Sequence, residues 1–457
     1  MTKHILLINP WIHDFAAFDL WLKPLGLLYI GAVLEKSGYK VSLVNCLDRF
    51  PSQSFASGGR ERKYGCGNFF SQEIEKPSFF KHIPRRFKRY GIAPEIFRQK
   101  LLSLPEPDAI CVTSAMTYWY PGVFEAIKIS RAIYPSAPII LGGIYATLCH
   151  EHAVKNSGAD YVIKGAGEFA VLRLVDQIFG VKSSEFGVRS CEKNHDYEFI
   201  TNDLRPAYNL FEKLVSVSML TSRGCPYNCT YCASHLLQST FKRRQPKKVV
   251  LEIEHYVNNL GVKDIAFYDD ALLVNPQGHI IPILKMIIEK GITVRFHTPN
   301  GLHLKYIDIQ LARLLKMANF KTIRLGFESA NAQRQNESDN KTTNEQLAEA
   351  LNNLRSAGFD SKEIGVYIMM GLPDETYEEV ADTMLFVNKC GGRIKTAQYS
   401  PIPGTLDFEK ASKKYPLLKD EPLLHNNSAY PLANESLDFN KYEKLKEFAR
   451  TLNESII

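Results

Sequence analysis

The stretch VSVSMLTSRGCPYNCTYC (215–232) decides how the rest of the chain is read. A β-rich apolar run ends at Thr221-Ser222, and Gly224 opens a loop carrying Cys225, Cys229 and Cys232. C-x3-C-x2-C spacing puts three thiolates on one short loop, which suits a soft metal or an iron–sulfur centre. Three protein ligands on a four-iron cluster leave one iron open, and an open position is what a catalytic metal site needs. An electron-transfer ferredoxin would want a fourth cysteine nearby. The other six (Cys46, Cys66, Cys111, Cys149, Cys191 and Cys390) are scattered. His235, three positions after Cys232, leaves a closed Cys3His zinc site as the alternative.

Downstream of this loop, strand-like runs recur with helical segments between them. DIAFYDD (264–270), TVRFHT (293–298), TIRLGFE (322–328), IGVYIMMG (364–371) and TAQYSP (396–401) follow the first run at 215–222. Six β/α units predict a partial (β/α)6 TIM-like barrel over 212–405, with its chemistry at the carboxyl ends of the strands. The cysteine loop sits at one of those ends.

Upstream, HILLINP (4–10), KVSLVNC (40–46), DAICVTSA (108–115), PIILGG (138–143) and DYVIKG (160–165) also alternate with helical stretches such as GLLYIGAVLEKSG (26–38). The pattern predicts a parallel sheet covered on both faces, a Rossmann-like (flavodoxin-like) α/β domain over 1–180. Ligands of such folds lie beyond the strand ends, which here carry Asn9, Ser114, Gly142-Gly143 and Gly165-Ala166-Gly167. Residues 50–107 break the rhythm and read as an insertion. Its basic stretch KHIPRRFKRY (81–90) reads as a solvated face, with an anion or nucleic-acid patch as the alternative. Residues 181–211 read as a linker and 406–457 as a C-terminal extension.

The chain has 457 residues, 45% hydrophobic and 23% charged, a balance that excludes a disordered or fibrous protein. A net charge of +7 permits an anionic substrate without demanding one. The strongest apolar run, HIIPILKMII (279–288), is short and broken by Pro282 and Lys285, so no membrane span is expected. Nine cysteines, an odd number in a long chain, argue against a secreted disulfide framework. The expectation is a cytoplasmic protein.

The cysteine loop closely resembles the signature of the radical S-adenosylmethionine (SAM) superfamily, and the resemblance extends over 215–405. It implies that Cys225, Cys229 and Cys232 hold a [4Fe–4S] cluster whose open iron is chelated by SAM. Reductive cleavage of SAM then yields a 5′-deoxyadenosyl radical, and the electron comes from a one-electron reductant such as flavodoxin or ferredoxin. The resemblance further implies SAM contacts from Tyr231, Asp269, Asp270, His297, Asn300, Glu328 and Ser329. Tyr268-Asp269-Asp270 stands where the family more often has Gly-Gly-Glu.

The first domain resembles the cobalamin-binding subfamily. Pro24-Leu25-Gly26 matches the start of its first helix, Gly142-Gly143-Ile144-Tyr145-Ala146-Thr147 its fourth-strand loop, and Gly165-Ala166-Gly167-Glu168 the turn after strand five. The aromatic loop Thr117-Tyr118-Trp119-Tyr120 is a further candidate for covering the corrin. The Asp-x-His-x-x-Gly motif that supplies a lower histidine ligand does not occur, so the lower axial position stays open. The resemblance implies a cobalamin-dependent enzyme with methylation of an unactivated carbon as the default reaction. A radical SAM methylthiotransferase, a cobalamin-free radical enzyme and a non-catalytic corrinoid or redox sensor are the alternatives. A nucleic-acid partner is not expected, because no RNA-binding barrel follows residue 405.

Overall fold

The computed structural model describes residues 2–50, 62–181, 204–337 and 341–456. Cys191 and most of the 181–211 stretch lie outside them. Residues 1–214 with 417–429 form one compact unit, and 215–416 with 430–457 form a second.

The first unit is built on strands β1 (His4–Asn9), β2 (Lys40–Asn45), β3 (Ala109–Val112), β4 (Ile139–Leu141) and β5 (Tyr161–Val162). All pair in parallel, in the order β2-β1-β3-β4-β5. The order reverses beside β1, and a crevice at such a switch point is where doubly wound folds take their ligands. Side chains alternate across the sheet with period two. Ile5 and Leu7 of β1 pack with helices α1 (Leu25–Lys36) and α4 (Glu168–Ile178), while Leu6 and Ile8 pack on the opposite face. That second face is covered by α2 (Pro94–Ser103) and α3 (Tyr120–Ile133). Full burial of each such aliphatic side chain contributes about 1.5–3 kcal/mol.

Two boundaries differ from the sequence expectation. Helix α2 falls inside the supposed insertion 50–107, yet Phe97 and Leu101 are fully buried against Leu6 and Ile8. It is the crossover helix between β2 and β3, so the interruption ends before it. The preceding basic stretch pairs Lys88–Tyr90 between Ile12–Asp14 and Ser71–Glu73 in a small antiparallel sheet. Arg89 donates to Glu125 at 2.9 Å and Arg85 lies over the Phe15 ring, so part of that charge is used internally. The C-terminal extension is likewise not one piece. Residues 417–429 belong to the first unit, where Glu421 accepts from Tyr120 (2.9 Å), Asn426 donates to the buried Asp14 (3.0 Å), and His425 bonds Thr117 (3.0 Å).

The second unit carries β6 (Val217–Met219), β7 (Asp264–Phe267), β8 (Arg295–His297), β9 (Phe320–Glu328), β10 (Ile364–Met370) and β11 (Ile394–Gln398). These six run parallel in chain order, the open (β/α)6 sheet the sequence predicts. Helices α5 (Pro246–Leu260), α6 (Ile280–Glu289), α7 (Ile309–Met317), α8 (Asn344–Ser356), α9 (Tyr377–Lys389) and α10 (Leu406–Lys414) follow the strands in turn. Thr343 with Gln346, and Thr376 with Glu379, form capping boxes that start α8 and α9. Phe267, Phe296 and Phe320 stack across three adjacent strands with centroids 5.2–5.8 Å apart. The last helix, α11 (Phe439–Glu454), covers the β11 edge, where Asn453 bonds both the N–H (2.7 Å) and the carbonyl (2.9 Å) of Ile394. A side-chain amide thus takes the place of a missing neighbour strand.

At the end of β10 the Glu375 side chain, 2% exposed, accepts from the N–H groups of Gly371 (2.6 Å) and Leu372 (3.2 Å). Burial pushes its carboxyl up to about 7, against the opposing pull of Arg334 and those two donors. The folded state therefore binds this proton more tightly than the unfolded chain, whose pKa is about 4.3. Stability from this group is present below that lower value and is lost as pH rises towards 7. Chemical denaturation of wild type and Glu375→Gln checks this: the variant's advantage should grow by roughly 2–3 kcal/mol across that window.

Candidate functional site

The cysteine loop is positioned by a buried carboxylate. Asp269, at the end of β7, accepts from Thr221 N (2.9 Å), Thr221 Oγ1 (2.7 Å) and Ser222 Oγ (2.6 Å). Thr221 Oγ1 in turn lies 2.8 Å from Nε2 of His279, whose pKa burial pulls down to about 4. The imidazole is thus neutral and its Nε2–H donates, since the Thr221 proton goes to Asp269. This chain of donors fixes the point where β6 gives way to the loop. Gly224 follows with φ of 77°, and a Cβ there would stand 2.6 Å from the Thr240 carbonyl oxygen.

Beyond Gly224 come the three thiols. Cys229 is buried, while Cys225 and Cys232 are partly open. The Cys232 N–H donates to the Cys229 carbonyl (3.0 Å), folding the loop back on itself. Burial pushes the Cys225 thiol up to about 11, with the neighbouring Cys232, Asp270 and Cys229 adding to it. Free of metal, the thiol stays protonated at neutral pH, and metal binding must displace the proton. Among the described residues, no three His, Cys, Asp or Glu side chains converge on a single metal ion. A multi-iron cluster, in which each thiolate holds a different iron, does not require such convergence. Cys46 and Cys149 pack in one core cluster of the first unit and Cys111 in the other, so these three serve as core side chains.

Charge is arranged around the thiols. Glu328 ends β9 with φ of 70°, after a register shift between Gly326 and Glu328. A non-glycine residue in this region is strained, and such strain collects at functional sites. Glu328 Oε1 and Lys341 Nζ lie 3.3 and 3.5 Å from the position a Cβ on Gly326 would occupy. Both groups therefore reach the same point beside the loop. Lys341 is held in its charged form by Glu328 first and then by the three cysteines, in spite of burial. His303 is 1% exposed, and burial, then Lys341 and Lys305, pull its pKa down to about 3. Its ring lies tilted, centroid 4.8 Å from that of Tyr227, whose hydroxyl meets Tyr306 at 2.8 Å.

The sequence-predicted SAM residues divide in two. Asp270 lies beside Cys225 and Glu328 beside Cys229, and the buried Tyr231 hydroxyl has Glu328, Cys229 and Cys232 as neighbours. Surrounding protein pushes Asp270 up to about 6, and Asp269 adds to the rise. Asp269 is committed to Thr221 and Ser222. Both ring nitrogens of His297 are taken, by Thr322 Oγ1 and Asp264 Oδ1 at 3.0 Å each. Asn300 donates to the Tyr268 carbonyl (2.9 Å), and Ser329 Oγ accepts from Asn331 N (3.2 Å). Lys341 was missed because it lies in a polar stretch with no strand or motif to mark it.

At the strand ends of the first unit, Asn9 donates to Asn45 (2.8 Å) and Ser114 Oγ to the Gly142 carbonyl (2.6 Å). Gly143 has φ of 99°, and a Cβ on it would stand 2.2 Å from the Ser114 carbonyl oxygen, so only glycine fits. Gly26, Gly142 and Gly165 instead have nothing within 4 Å of the Cβ position, leaving bare backbone towards open space. Gly167 packs against Ile30, Pro24 precedes α1, and Glu168, 5% exposed, begins α4. Thr147 Oγ1 links the Gly143 carbonyl (2.7 Å) to Gly165 N (3.0 Å). The larger side chains are spent internally: Tyr145 on His152 (2.6 Å), Tyr118 on Asn427 (3.2 Å), and Thr117 on His425.

Residues 219–387 match the radical SAM superfamily and residues 91–175 the B12-binding domain. The chain thus carries a radical SAM domain. It carries a B12-binding domain ahead of the barrel, the architecture of the cobalamin-dependent radical SAM methyltransferases. The cofactors of these two domains are a [4Fe–4S] cluster with SAM, and cobalamin. An uncharacterized methyltransferase of Pyrococcus horikoshii is 26% identical over 68% of this chain and 71% of its own length. The cytidylyl-2-hydroxyethylphosphonate methyltransferase of Streptomyces wedmorensis is 23% identical over 88% and 80%. The fold is shared with the radical SAM methyltransferase TsrM of Kitasatospora setae, solved with cobalamin and a [4Fe–4S] cluster bound. The TM-score is 0.64 at 16% identity, covering 91% of this chain and 78% of that one. No helix among the described residues is long and apolar enough to cross a membrane.

The two adjacent aspartates should separate cleanly on substitution. Asp269→Asn removes charge-assisted bonds in a buried network and should cost about 2–4 kcal/mol, with a matching fall in Tm. Asp270→Asn should leave Tm unchanged within a degree or so. Paired thermal melts check both.

Proposed function

We propose that this enzyme methylates an unactivated carbon of its substrate, using both cofactor sites. The observation that carries the reading is the loop of Cys225, Cys229 and Cys232 facing the Glu328–Lys341 pair at the strand ends of a parallel barrel. The three thiolates would hold the cluster, and Asp270, Glu328 and Tyr231 would meet SAM. The bare backbone of Gly26, Gly142 and Gly165 leaves room for a flat macrocycle to approach the first unit. When bound, the cluster with SAM supplies a carbon-centred radical, and cobalamin carries the methyl group.

The protein's own contribution is charge balance and positioning. Lys341 offsets the negative charge of three thiolates, which burial would otherwise disfavour. Glu328 presents a carboxylate acceptor from a strained strand end, held in place by the close approach of Gly301 to Gly326. Asp270, with its pKa near 6, changes protonation just below neutral pH and can accept a proton or a hydrogen bond there. His303 stays neutral through this range and adds no competing charge.

Protein produced without oxygen and with cobalamin present should copurify with iron, sulfide and cobalt. Metal analysis with ultraviolet–visible spectra of wild type and Cys225→Ala/Cys229→Ala/Cys232→Ala tests this. Iron should disappear in the variant while cobalt stays. Iron without cobalt, even after reconstitution with corrinoid, would sink the cobalamin-dependent reading and leave a cobalamin-free radical enzyme.

A further inference from the structure

The inner face of the barrel sheet carries two cations that no carboxylate answers. Val366 of β10 packs outward, where it meets Val387 of α9 and Leu351 of α8 around the Cβ position of Gly392. Its neighbours Gly365 and Tyr367 therefore lie on the inner face, since side chains alternate along a strand. Gly365 pairs with Arg324 of β9, and Tyr367 with Gly326 on one side and Lys395 of β11 on the other. A Cβ on Gly365 would stand 2.9 Å from Lys395 Cγ and 3.1 Å from Arg324 Nη1. The two cationic side chains thus cross the same space, which the glycine leaves free. Neither forms an ion pair among the described residues, and no carboxylate is among the groups that act on their charge. Arg324 is half-buried, and its Nη1 donates to the carbonyls of Ile323 (3.0 Å) and Glu363 (3.5 Å). Its guanidinium also meets the Tyr367 hydroxyl, whose own proton goes to the Pro299 carbonyl (2.8 Å). Surrounding protein first, then Arg324 and Arg393, pull the Lys395 pKa down. Arg393 is committed elsewhere, to the carbonyls of Asn453 (3.1 Å) and Ile456 (3.5 Å). Like charges brought together away from water are unfavourable unless an anion joins them.

We propose that Arg324 and Lys395 form an anion subsite that anchors the substrate by a doubly charged phosphate or phosphonate group. The inference rests on the enzyme reading given above and names the substrate class of that same site. Two cations without an acid match a dianion better than a single carboxylate. The planar guanidinium can give parallel N–H bonds to two oxygens of such a group, while the lysine adds a point charge. The position also suits an anchor. Gly326, where Glu328 and Lys341 converge, lies on the same face two residues beyond Arg324. That is about 7 Å along the strand, so a substrate held at the cations would extend towards the strand ends that carry the thiol loop. The bonds to Ile323 and Glu363 give one edge of the guanidinium a structural role. They do not explain why a lysine from another strand lies across it.

Inorganic phosphate is the probe, titrated into the anaerobically reconstituted full chain and followed by phosphorus NMR line width at constant ionic strength. The titration is run at about pH 8, where a phosphate group carries its second charge. Wild type should show saturable broadening. Arg324→Gln should weaken binding at least about tenfold, because it removes charge-assisted bonds. Lys395→Met should weaken it several-fold, and Arg324→Lys should recover part of the loss, since charge returns without the fork. Neither acetate nor SAM should displace the phosphate. Equal affinity in wild type, Arg324→Gln and Lys395→Met would overturn the proposal. Displacement by SAM would also overturn it, because the cations would then serve that cofactor, and displacement by acetate would overturn the dianion class. Thermal melts accompany each variant. Should Arg324→Gln melt early, Lys395→Met decides, because its side chain is exposed on the last strand. Iron analysis of the same samples keeps the two readings apart. Phosphate binding in a wild-type chain that takes up no iron would remove the enzyme reading and leave an anion site, whereas full iron without phosphate binding would do the reverse.

Discussion

Asp269 holds three donors from Thr221 and Ser222, and so sets where the first barrel strand stops and the cysteine loop begins. Everything chemical in the barrel is placed relative to that point. Gly224 turns sharply under the Thr240 carbonyl, Cys232 bonds back to Cys229, and Thr230 ties the loop to α10. A buried carboxylate with three partners is expensive to lose, because each donor left behind would be unsatisfied in a water-poor interior. The loop is therefore anchored from below by a carboxylate and from its outer side by a helix.

Opposing electrostatic demands meet around that loop. Burial favours the protonated form of Cys225 and Cys229, whereas a metal cluster needs its thiols ionised. Lys341 answers that conflict, and Glu328 keeps the lysine charged although protein surrounds it. The strained backbone at Glu328 is the local cost of aiming its carboxylate at the same place. In the first unit the corresponding logic is steric. Gly143 is crowded by Ser114, so the turn after β4 is rigid, while Gly142 and Gly165 leave backbone uncovered.

Much of this was legible from residue order. The six barrel strands, the five strands of the first sheet and the cysteine loop all follow from local pattern, since periodicity and spacing are properties of neighbouring residues. The boundaries were less legible. Helix α2 was hidden in a basic, proline-bearing stretch, because only contact with Leu6 and Ile8 reveals that Phe97 and Leu101 are core. Residues 417–429 read as a tail, although their polar side chains find partners roughly three to four hundred residues earlier in the chain.

The sequence by itself determined the kind of chemistry, because three cysteines at that spacing on a strand-ending loop restrict the metal and leave a position open. It also determined the layered α/β architecture, through alternation that buries both faces of each sheet. Only the tertiary structure decided which polar residues are available to a ligand. Asp269 and His297 are consumed by hydrogen bonds, whereas Asp270 and Glu328 face the thiols. Lys341 joins them from a stretch with no motif. The physical reason is that a side chain's availability depends on which donors and acceptors the fold brings within about 3 Å of it, and those partners come from distant strands.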